Sequence, residues 1–491
     1  MDFISTSPAE MDVEHQEHRK VLAQLKNDQG ETLGHPLDIP VDISFRDLQT
    51  ICNLLLEQQD EPLPYSFFVN GTEIQKNLSD AIDFSVTNTE KCLEIVYQPQ
   101  AVFRVRAVTR CSSTIEGHAE AIIAAQFSPD GRYLASGSGD TTVRFWDVTT
   151  ETPQYTCKGH KNWILAIAWS PDGRKLASGC KDGRVCIWDP SNGKQLGKTL
   201  SGHQQWITWL CWEPLHSNGH CRLLASSSKD ATIRIWDTSM QQVLRILSGH
   251  TQSVTCLRWG GVGLLYSCSQ DRTLKIWRAS DGILVRTLTG HGHWINSMAL
   301  NTDYVMRTGA FDPRDADVVH SLDTDSAEDL QKKAVKRYDD FRRSVVAERL
   351  VSGSDDFTMF LWNIETDKKP LARLTGHQGT INQVCFSPNG YLIASGSFDH
   401  SVKLWNGFTG KFITSFRGHV QRVYQIAWSA DSRLLVSGSQ DSTLKLWEVS
   451  TKKLTVDLPG HADDVYAVDW SPDGQRVVSG GKDKVLKIWR K

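Results

Sequence analysis

The strongest constraint on how this chain can fold is a Gly-His pair that recurs eight times at a regular interval between residues 117 and 461. Successive histidines of these pairs are 42, 43, 47, 41, 86, 42 and 42 residues apart. Such a period suits a four-stranded β-sheet, at about ten residues for each strand and its turn. The doubled step holds one repeat and an insertion, because it contains a single closing Trp. The eight histidines are His118, His160, His203, His250, His291, His377, His419 and His461.

Each repeat also has a Ser, an Asp and a Trp at constant spacing. The Asp stands six residues before the Trp that closes the repeat, and the Ser stands four residues before the Asp. This regularity explains why tryptophan is abundant, at 17 residues. The first two sets are His118, Ser136, Asp140 and Trp146, then His160, Ser178, Asp182 and Trp188.

This pattern covers residues 115–491 and is identified as that of the WD-repeat family. The resemblance implies a His that bonds both Ser and Asp, and a Ser that accepts the indole N–H. It also implies an Asp in the turn between the second and third strands. Such a network is physically reasonable, because a buried indole, imidazole or carboxylate is costly without a partner. We therefore expect a mainly β protein with an eight-bladed WD40 β-propeller.

The same three polar residue types could suggest a hydrolase triad. Eight identical copies in series argue against catalysis and favour a structural network. The sequence shows no glycine-rich phosphate loop, no non-repeated nucleophile and no Cys/His spacing typical of a zinc site. We expect a protein that binds other macromolecules and is not an enzyme.

The last repeat ends at Lys491, two residues after Trp489, and so has no outer strand of its own. A strand-like segment at 102–113 precedes the first repeat. We predict that residues 100–114 supply the missing strand and join the two ends of the ring. Closure of this kind removes an exposed sheet edge.

An insertion at about 301–348 separates the first two strands of the fifth repeat. Residues 325–343 have a charged, helix-forming composition, and Ser326 is a suitable N-cap. These features favour a helix with a functional role on one propeller face. A partly disordered loop is the alternative interpretation.

One position of the repeat predicts a ring of side chains on one face. It lies three residues after each repeat His, just before the first strand of the blade. Because exposed Trp and Arg are typical interface anchors, we predict a binding face with Trp163, Trp206, Trp294 and Arg422. The alternative is that these indoles pack on neighbouring loops. The ring positions are Ala121, Trp163, Trp206, Ser253, Trp294, Thr380, Arg422 and Asp464.

The region before the repeats predicts a flexible segment at 1–17 and a separate α+β domain at 18–99. Two strand-like stretches form a first hairpin. A helix follows, with Ser44 and Asp47 as a capping pair and apolar side chains on one face. Two more strand-like stretches complete a β-β-α-β-β order, which resembles the ubiquitin-like β-grasp fold.

The net charge of −3 conceals an asymmetry between the two regions. Residues 1–98 carry 18 acidic and 6 basic residues, a balance of −12, whereas 99–491 carry 39 acidic and 48 basic residues, a balance of +9. The acidic region could bind a cation or a basic partner, and the basic region could bind nucleic acid. Solvated surfaces are the alternative interpretation for both.

Cysteine usage and hydropathy bear on the compartment. The 11 cysteines are scattered without a CxxC pair, which favours reduced thiols in the cytosol or nucleus. The N-terminal residues lack the apolar core of a signal peptide, and no apolar run approaches the roughly 18 residues of a membrane span. We expect an intracellular protein that does not insert into membranes.

Three segments carry a closer resemblance, to the Notchless family of large-subunit ribosome assembly factors. They are QPQAVFRVRAVTR, GHKNWILAIAWSPDG and LPGHADDVYAVDWSPDG, and the similarity extends over essentially the whole chain. The resemblance implies a non-catalytic factor of 60S subunit biogenesis in the nucleus and nucleolus. It implies a propeller that docks on ribosomal RNA and proteins of the pre-60S particle.

The resemblance also assigns a role to the N-terminal domain. In this family the domain binds midasin, an AAA ATPase, at its metal-ion-dependent adhesion site (MIDAS). An acidic loop residue completes the coordination of the partner's Mg²⁺, and Glu90 stands at that place in this sequence. A carboxylate oxygen suits such a hard cation. Asp80 and Asp83 are weaker candidates, and solvent exposure is the ordinary fate of a loop Glu.

Further expectations concern the remaining partners. No intrinsic cofactor is expected, because the Mg²⁺ belongs to the partner's MIDAS, and the chain is expected to be a monomer. The resemblance also links the family to Notch signalling, through the cytoplasmic region of the receptor. The alternative function is a WD-repeat adaptor that recruits substrates in ubiquitin ligation or receptor signalling.

Overall fold

The computed structural model contains two compact units, residues 1–103 and residues 104–491. The flexible segment expected at 1–17 lies outside the described residues. The turn expected at 28–30 also lies outside them. The described residues are 20–27, 31–56, 64–69, 72–74, 77–78, 92–99, 104–313, 325–345, 347–364 and 369–491.

The first unit consists of a five-stranded sheet and one helix. Its elements are β1 Lys20–Lys26, β2 Thr32–Pro40, α1 Phe45–Leu55, β3 Tyr65–Val69, β4 Thr72–Glu73 and β5 Leu93–Pro99. The strand order is β2-β1-β5-β3-β4, in which only β1 and β5 are parallel. A central parallel pair flanked by hairpins confirms the expected β-grasp arrangement.

Helix α1 begins where the sequence predicts. The Asp47 backbone N–H donates to Ser44 Oγ at 3.3 Å, and the Ser44 hydroxyl donates to the Asp47 carboxylate at 2.7 Å. The first of these contacts satisfies a backbone donor that a helix start leaves open. On the inward face, Leu48 and Cys52 are fully buried in a core that includes Ile95 of the sheet.

The second unit consists of eight four-stranded sheets, counted over its described residues. It begins with β6, Arg110–Ile115. The first strands of neighbouring blades contact one another around a complete ring, and the last blade contacts the first. The expected eight-bladed WD40 β-propeller is therefore confirmed.

In blades 1 to 7 the strands follow chain order from the inside to the outside of the ring, and in blade 8 this holds for the three inner strands. Blade 1 consists of β7 Ile122–Phe127, β8 Tyr133–Ser138, β9 Thr142–Asp147 and β10 Thr152–Lys158, and blade 2 of β11 Ile164–Trp169, β12 Leu176–Cys180, β13 Arg184–Trp188 and β14 Leu200–Ser201. Blade 3 consists of β15 Ile207–Trp212, β16 Leu223–Ser228, β17 Thr232–Asp237 and β18 Gln242–Ser248, and blade 4 of β19 Val254–Trp259, β20 Leu264–Ser269, β21 Thr273–Arg278 and β22 Leu284–Thr289.

The remaining blades have the same layout. Blade 5 consists of β23 Ile295–Leu300, β24 Arg349–Ser354, β25 Thr358–Asn363 and β26 Ala372–Thr375, and blade 6 of β27 Ile381–Phe386, β28 Leu392–Ser397, β29 Ser401–Asn406 and β30 Phe412–Arg417. Blade 7 consists of β31 Val423–Trp428, β32 Leu434–Ser439, β33 Thr443–Glu448 and β34 Lys453–Pro459, and the three inner strands of blade 8 are β35 Val465–Trp470, β36 Val477–Gly481 and β37 Leu486–Arg490.

A tight turn joins the second and third strands of every blade. The residue after the repeat Asp adopts a left-handed backbone conformation, which is Gly183 at φ +75° in blade 2 and a non-glycine residue in the other seven. In blade 1, Asp140 Oδ1 accepts the Thr142 backbone N–H at 2.9 Å and its hydroxyl at 2.7 Å. These bonds hold a backbone conformation that costs a non-glycine residue about 1 kcal/mol.

Strand β6 closes the ring. It is the outermost strand of blade 8 and pairs antiparallel with β37, from Ile115 opposite Leu486 to Arg110 opposite Arg490. Ile115 is buried with Leu486 and Ile488 between blades 8 and 1. The expectation that the N-terminal side of the repeats supplies the missing strand is confirmed.

The predicted bounds of this closing strand were too early in the chain. Residues 104–109 form no strand, although the sequence pattern at 102–113 alternates like one. Their backbone has other partners, because the Val105 N–H donates to Asp431 Oδ2 in the first turn of blade 7. Val105 and Val108 are buried there, at 6% and 0% exposure. The apolar side chains of Val105 and Val108 therefore reflect anchoring to the propeller rather than sheet pairing.

The described parts of the insertion contain two helices, α2 Asp303–Thr308 and α3 Ala327–Val345. Helix α3 confirms the prediction for residues 325–343, and the Asp329 N–H donates to Ser326 Oγ at 3.2 Å as the predicted N-cap. Helix α2 was not predicted. The interpretation as a partly disordered loop is wrong for the described parts, while residues 314–324 lie outside them.

The insertion packs across the face of the propeller that carries the first turns of the blades. Arg307 of α2 makes a two-point ion pair with Asp469 on the inner strand of blade 8. On α3, Tyr338 stacks on His216 of blade 3, with ring centroids 4.2 Å apart and an interplanar angle of 8°. Buried Leu330 belongs to the core of blades 2 and 3. The two helices thus brace several blades from one side.

Candidate binding face of the propeller

The repeat network has the same geometry in seven blades. In blade 1, His118 Nδ1 lies 2.8 Å from Asp140 Oδ2, and His118 Nε2 lies 2.7 Å from Ser136 Oγ. The Trp146 indole N–H donates to the same Ser136 Oγ at 2.8 Å. A carboxylate only accepts, so Nδ1 carries the ring proton and Nε2 accepts from the Ser hydroxyl.

Electrostatics agree with this role for the Asp residues. Burial alone would raise the pKa of Asp140, but hydrogen bonds from His118 and Thr142 outweigh it and hold the pKa well below its usual range. The Asp residues of blades 3 to 8 behave alike. The carboxylates are therefore ionised acceptors with bonded partners. The repeated, closed network supports the structural interpretation over a catalytic one.

Blade 2 departs from the pattern. His160 Nε2 still bonds Ser178 Oγ at 2.6 Å, and the Trp188 indole donates to Ser178 at 2.7 Å. Among the contacts described for this blade, however, none joins His160 to Asp182. The prediction that Asp182 belongs to the network of His160 is therefore wrong for blade 2.

Asp182 has a different partner. Its Oδ1 accepts from the side-chain amide of Asn162 at 2.8 Å, and Asp182 is exposed on the face of the propeller. Burial of His160 without this carboxylate bond lowers the histidine pKa to about 4. Asn162 competes for the carboxylate here, and no other blade has Asn at this position. The repeat alone could not reveal this exchange.

The ring of predicted face residues lies where the sequence places it. Each member directly precedes the first strand of its blade. Trp163, Trp206 and Trp294 are 47%, 40% and 43% exposed, and Arg422 is also exposed. By contrast, Ser253 is buried. Large indoles that remain this open support the prediction of a binding face.

Two of the three indoles are joined by lysines. The Lys181 ammonium lies 5.1 Å from the Trp163 ring centroid and 4.6 Å from that of Trp206. The Lys229 ammonium lies 4.5 Å from the Trp206 centroid. We call these four residues the Trp-Lys cluster. It spans blades 2 and 3 on the predicted face.

The other two predicted anchors lie elsewhere on the ring. Trp294 in blade 5 contacts the ring of His293 at 5.3 Å. Arg422 in blade 7 lies over the ring of Phe398 at 5.0 Å. Phe398 also packs edge-on against Tyr424 at 5.9 Å. The four predicted anchors therefore form three separate sectors instead of one patch.

Sequence reasoning missed the lysines and the tyrosine of these sectors. Lys181 and Lys229 stand directly before the repeat Asp, a position that reaches the same face in every blade. Phe398 holds the equivalent position in blade 6. Comparison of the residues at this second periodic position would have identified Lys181, Lys229 and Phe398. Tyr424 is the second residue of the inner strand of blade 7 and packs on Phe398 of blade 6, a contact that only the ring geometry provides.

Metal binding is not supported by the described residues, in which no group of three or more His, Cys, Asp or Glu could hold an ion. Glu90, Asp80 and Asp83 lie outside the described residues, so their predicted role stays a prediction. None of the helices described in the two units is long and apolar enough to cross a membrane.

Fold and face together define a class of protein. It is a WD-repeat β-propeller with exposed aromatic and basic side chains on one face, preceded by a small ubiquitin-like domain. Residues 21–82 match the NLE (NUC135) domain family. Seven stretches between 109 and 490 match the WD domain, G-beta repeat family.

Relatives narrow the class to one family. The chain is 55% identical to Protein Notchless of Drosophila melanogaster, over 75% of each chain. It is 54% identical to the Notchless protein homolog of Arabidopsis thaliana, over 82% of this chain and 83% of the relative. Ribosome assembly protein 4 of Saccharomyces cerevisiae is 48% identical over 79% and 78%. This chain belongs to the Notchless family.

A solved structure supports the propeller assignment. The computationally designed Ika8 protein is similar to this chain with a TM-score of 0.61 and 28% sequence identity. The similarity covers 78% of this chain and all of the designed one. The yeast relative is named a ribosome assembly protein, and this chain, whose repeats match the WD domain family, is not an enzyme.

Proposed function

We propose that this protein is a non-catalytic assembly factor of the large ribosomal subunit, active in the nucleus and nucleolus. The observation that carries the proposal is its similarity to two proteins named Ribosome assembly protein 4. One is the yeast relative, and the other, from Chaetomium thermophilum, is 46% identical over 77% of this chain. Exposed Trp and Arg on the propeller face supply the anchors that such docking on a pre-60S particle needs.

The N-terminal domain engages the ATPase in this proposal. Glu90 offers a carboxylate oxygen to the Mg²⁺ held at the MIDAS of midasin, and the domain passes the remodelling force to the particle. Two observations support this role. The balance of −12 over residues 1–98 favours binding to a site that carries a cation. In the sequence, Glu90 stands three residues before β5, which is a central strand of the sheet.

Substitution of the loop acid tests the proposal. Glu90→Ala should abolish retention of midasin by the tagged chain in affinity purification, because the Mg²⁺ loses a ligand. Glu90→Asp should have the same effect, since the shorter side chain cannot reach. The matched control is Glu94→Ala, four residues later on the surface of β5, where Glu94 pairs with Lys26 at 2.5 Å.

The same purification separates the proposed function from its alternative. Pre-60S proteins should be retained by the wild type, by Glu90→Ala and by Glu94→Ala, because the propeller is intact in all three. Retention of midasin by Glu90→Ala would defeat the role of this residue. Recovery of a ubiquitin ligase or of the Notch cytoplasmic region without pre-60S proteins would favour the adaptor function, which the name of the Drosophila relative keeps open.

A further inference from the structure

The Trp-Lys cluster is an unusual use of surface lysines. The ammonium group of Lys181 lies between two indole rings, and Lys229 lies against the second of them. Each such contact contributes about 0.5–1 kcal/mol at an exposed site. The contacts hold two flexible side chains in fixed positions and so reduce the entropy that a partner must overcome to pair with them.

These two lysines have no carboxylate partner within the part of the chain that the structure describes. Among the described residues, neither Lys181 nor Lys229 makes an ion pair, although both reach the same face as paired lysines of blade 8. There, Lys482 pairs with Asp463 at 3.1 Å and Lys484 with Glu120 at 3.8 Å. The positive charge of the cluster is therefore available to a partner, while that of blade 8 is already neutralised.

The repeat network changes at the same place. In blade 2, the Asp182 carboxylate accepts a hydrogen bond from Asn162, the residue directly before Trp163, in place of the bond that the other blades make to the repeat histidine. The side-chain oxygen of Asn162, Oδ1, also accepts the Trp163 backbone N–H at 2.8 Å. The exchange thus fixes the loop that carries the first indole. Blade 2 thus does without the usual hydrogen bond between the repeat histidine and the carboxylate, and Asp182 helps to order the Trp-Lys cluster instead.

We infer that the Trp-Lys cluster is a docking site for an acidic segment of a partner protein, with apolar side chains beside its carboxylates. Carboxylates would pair with the ammonium groups of Lys181 and Lys229, and apolar side chains would pack on the exposed parts of Trp163 and Trp206. Discrete paired charges beside buried aromatic area are the usual composition of a protein–protein anchor.

The geometry favours a protein partner over RNA. Lysines already lie over the two indoles, which reduces the ring surface open to the base stacking that single-stranded RNA requires. The exposed carboxylates of Asp182 and Glu120 also border the cluster on the face. They interrupt the continuous positive stripe that a phosphate backbone follows. An acidic peptide tolerates such a border, because its charges are few and local.

This inference deepens the proposed function, since it names the chemistry of one partner of the propeller. The test uses the purified full chain and fluorescence polarisation at low salt. One probe is a short fluorescein-labelled peptide of alternating Glu and Leu, and the other is a labelled oligouridine of similar length. The double variant Lys181→Ala, Lys229→Ala should weaken peptide binding about tenfold, as expected for the loss of two exposed ion pairs.

Two controls make the result specific. The double variant Lys482→Ala, Lys484→Ala removes two lysines of the same face that already have partners, and should change peptide binding less than about twofold. The charge-reversed variant Lys181→Glu, Lys229→Glu should lose the acidic peptide and gain binding of a Lys-Leu peptide. Such a gain cannot come from an unfolded protein.

Three outcomes would overturn the inference. One is a lack of saturable binding of the acidic peptide. Another is equal loss of binding in the two double variants. The third is tighter binding of oligouridine that depends on Lys181 and Lys229, which would identify an RNA site. None of these results bears on retention of pre-60S proteins, so failure of the docking site and failure of the proposed function are distinguishable.

Discussion

At the scale of single residues, one hydrogen-bond network has the same structural role in seven blades and a modified one in blade 2. Asp140 and its counterparts order a turn and fix the tautomer of the adjacent histidine. Asp182 does neither for His160 and lies in solvent instead. An identical sequence signature therefore covers two different environments. Their contributions to stability should differ.

This difference can be measured by removing each carboxylate. Asp140→Ala leaves the buried His118 N–H without an acceptor, so the free energy of unfolding should fall by about 1–3 kcal/mol. Asp182→Ala removes only a surface hydrogen bond and should cost less than about 0.5 kcal/mol. Urea denaturation of both variants beside the wild type provides the comparison. Equal losses would show that Asp182 is part of the closed network in solution.

The environment of His160 predicts a pH dependence. Burial lowers its pKa from the ordinary 6.5 to about 4, with Arg184 adding to the effect and Asp182 opposing it. The unfolded chain thus takes up this proton before the folded one. The stability contributed by the neutral ring is complete above about pH 6.5 and is lost as the pH falls towards 4.

Melting temperatures across this interval test the assignment. The wild type should lose stability steadily from pH 6.5 to pH 4, and His160→Gln should lose less because it has no proton to gain. His220→Gln, at an exposed histidine, is the control and should follow the wild type. A slope that is unchanged in His160→Gln would refute the low pKa.

At the scale of elements, the two added pieces of the propeller do different things. The insertion braces one face, and β6 completes the sheet of blade 8. Helix α3 was predictable because its cap and charged composition are local signals. Helix α2 was not, since six residues carry too little periodicity. Its place depends on Arg307 and Asp469, which are 162 residues apart in the chain.

Truncation tests the closing strand. Removal of residues 1–103 keeps β6 and the anchor at Val105, so the propeller should melt close to the temperature of the full chain. Removal of residues 1–115 exposes the edge of β37 and the apolar contacts of Ile115. That loss should lower the melting temperature by at least about 5 °C in calorimetry. Equal melting of the two truncated forms would mean that β6 is dispensable.

At the scale of the whole molecule, the repeat made the architecture predictable. Blade number, the position of each network residue and the face that bears Trp163, Trp206 and Trp294 all follow from spacing, because each blade repeats one local pattern. The spacing of the repeat could not predict which individual side chains contact one another. The placement of Lys181 between indoles of two blades depends on a neighbouring blade that only the ring brings close. The exchange at Asp182 depends on Asn162 of the same blade, a residue that is not part of the repeated signature.

The closing strand also sets an order of events during synthesis. Ser112 and Ile488, which share a hydrogen bond across the closing pair, are separated by 376 residues. Strand β6 is synthesised before every other strand of the propeller, and β37 is synthesised after all of them. Every earlier stage therefore has an unpaired strand edge, and contacts so distant in sequence form slowly. A chain cut short anywhere before β37 remains an open ring prone to aggregation, so termination errors give misfolded material instead of a smaller working platform.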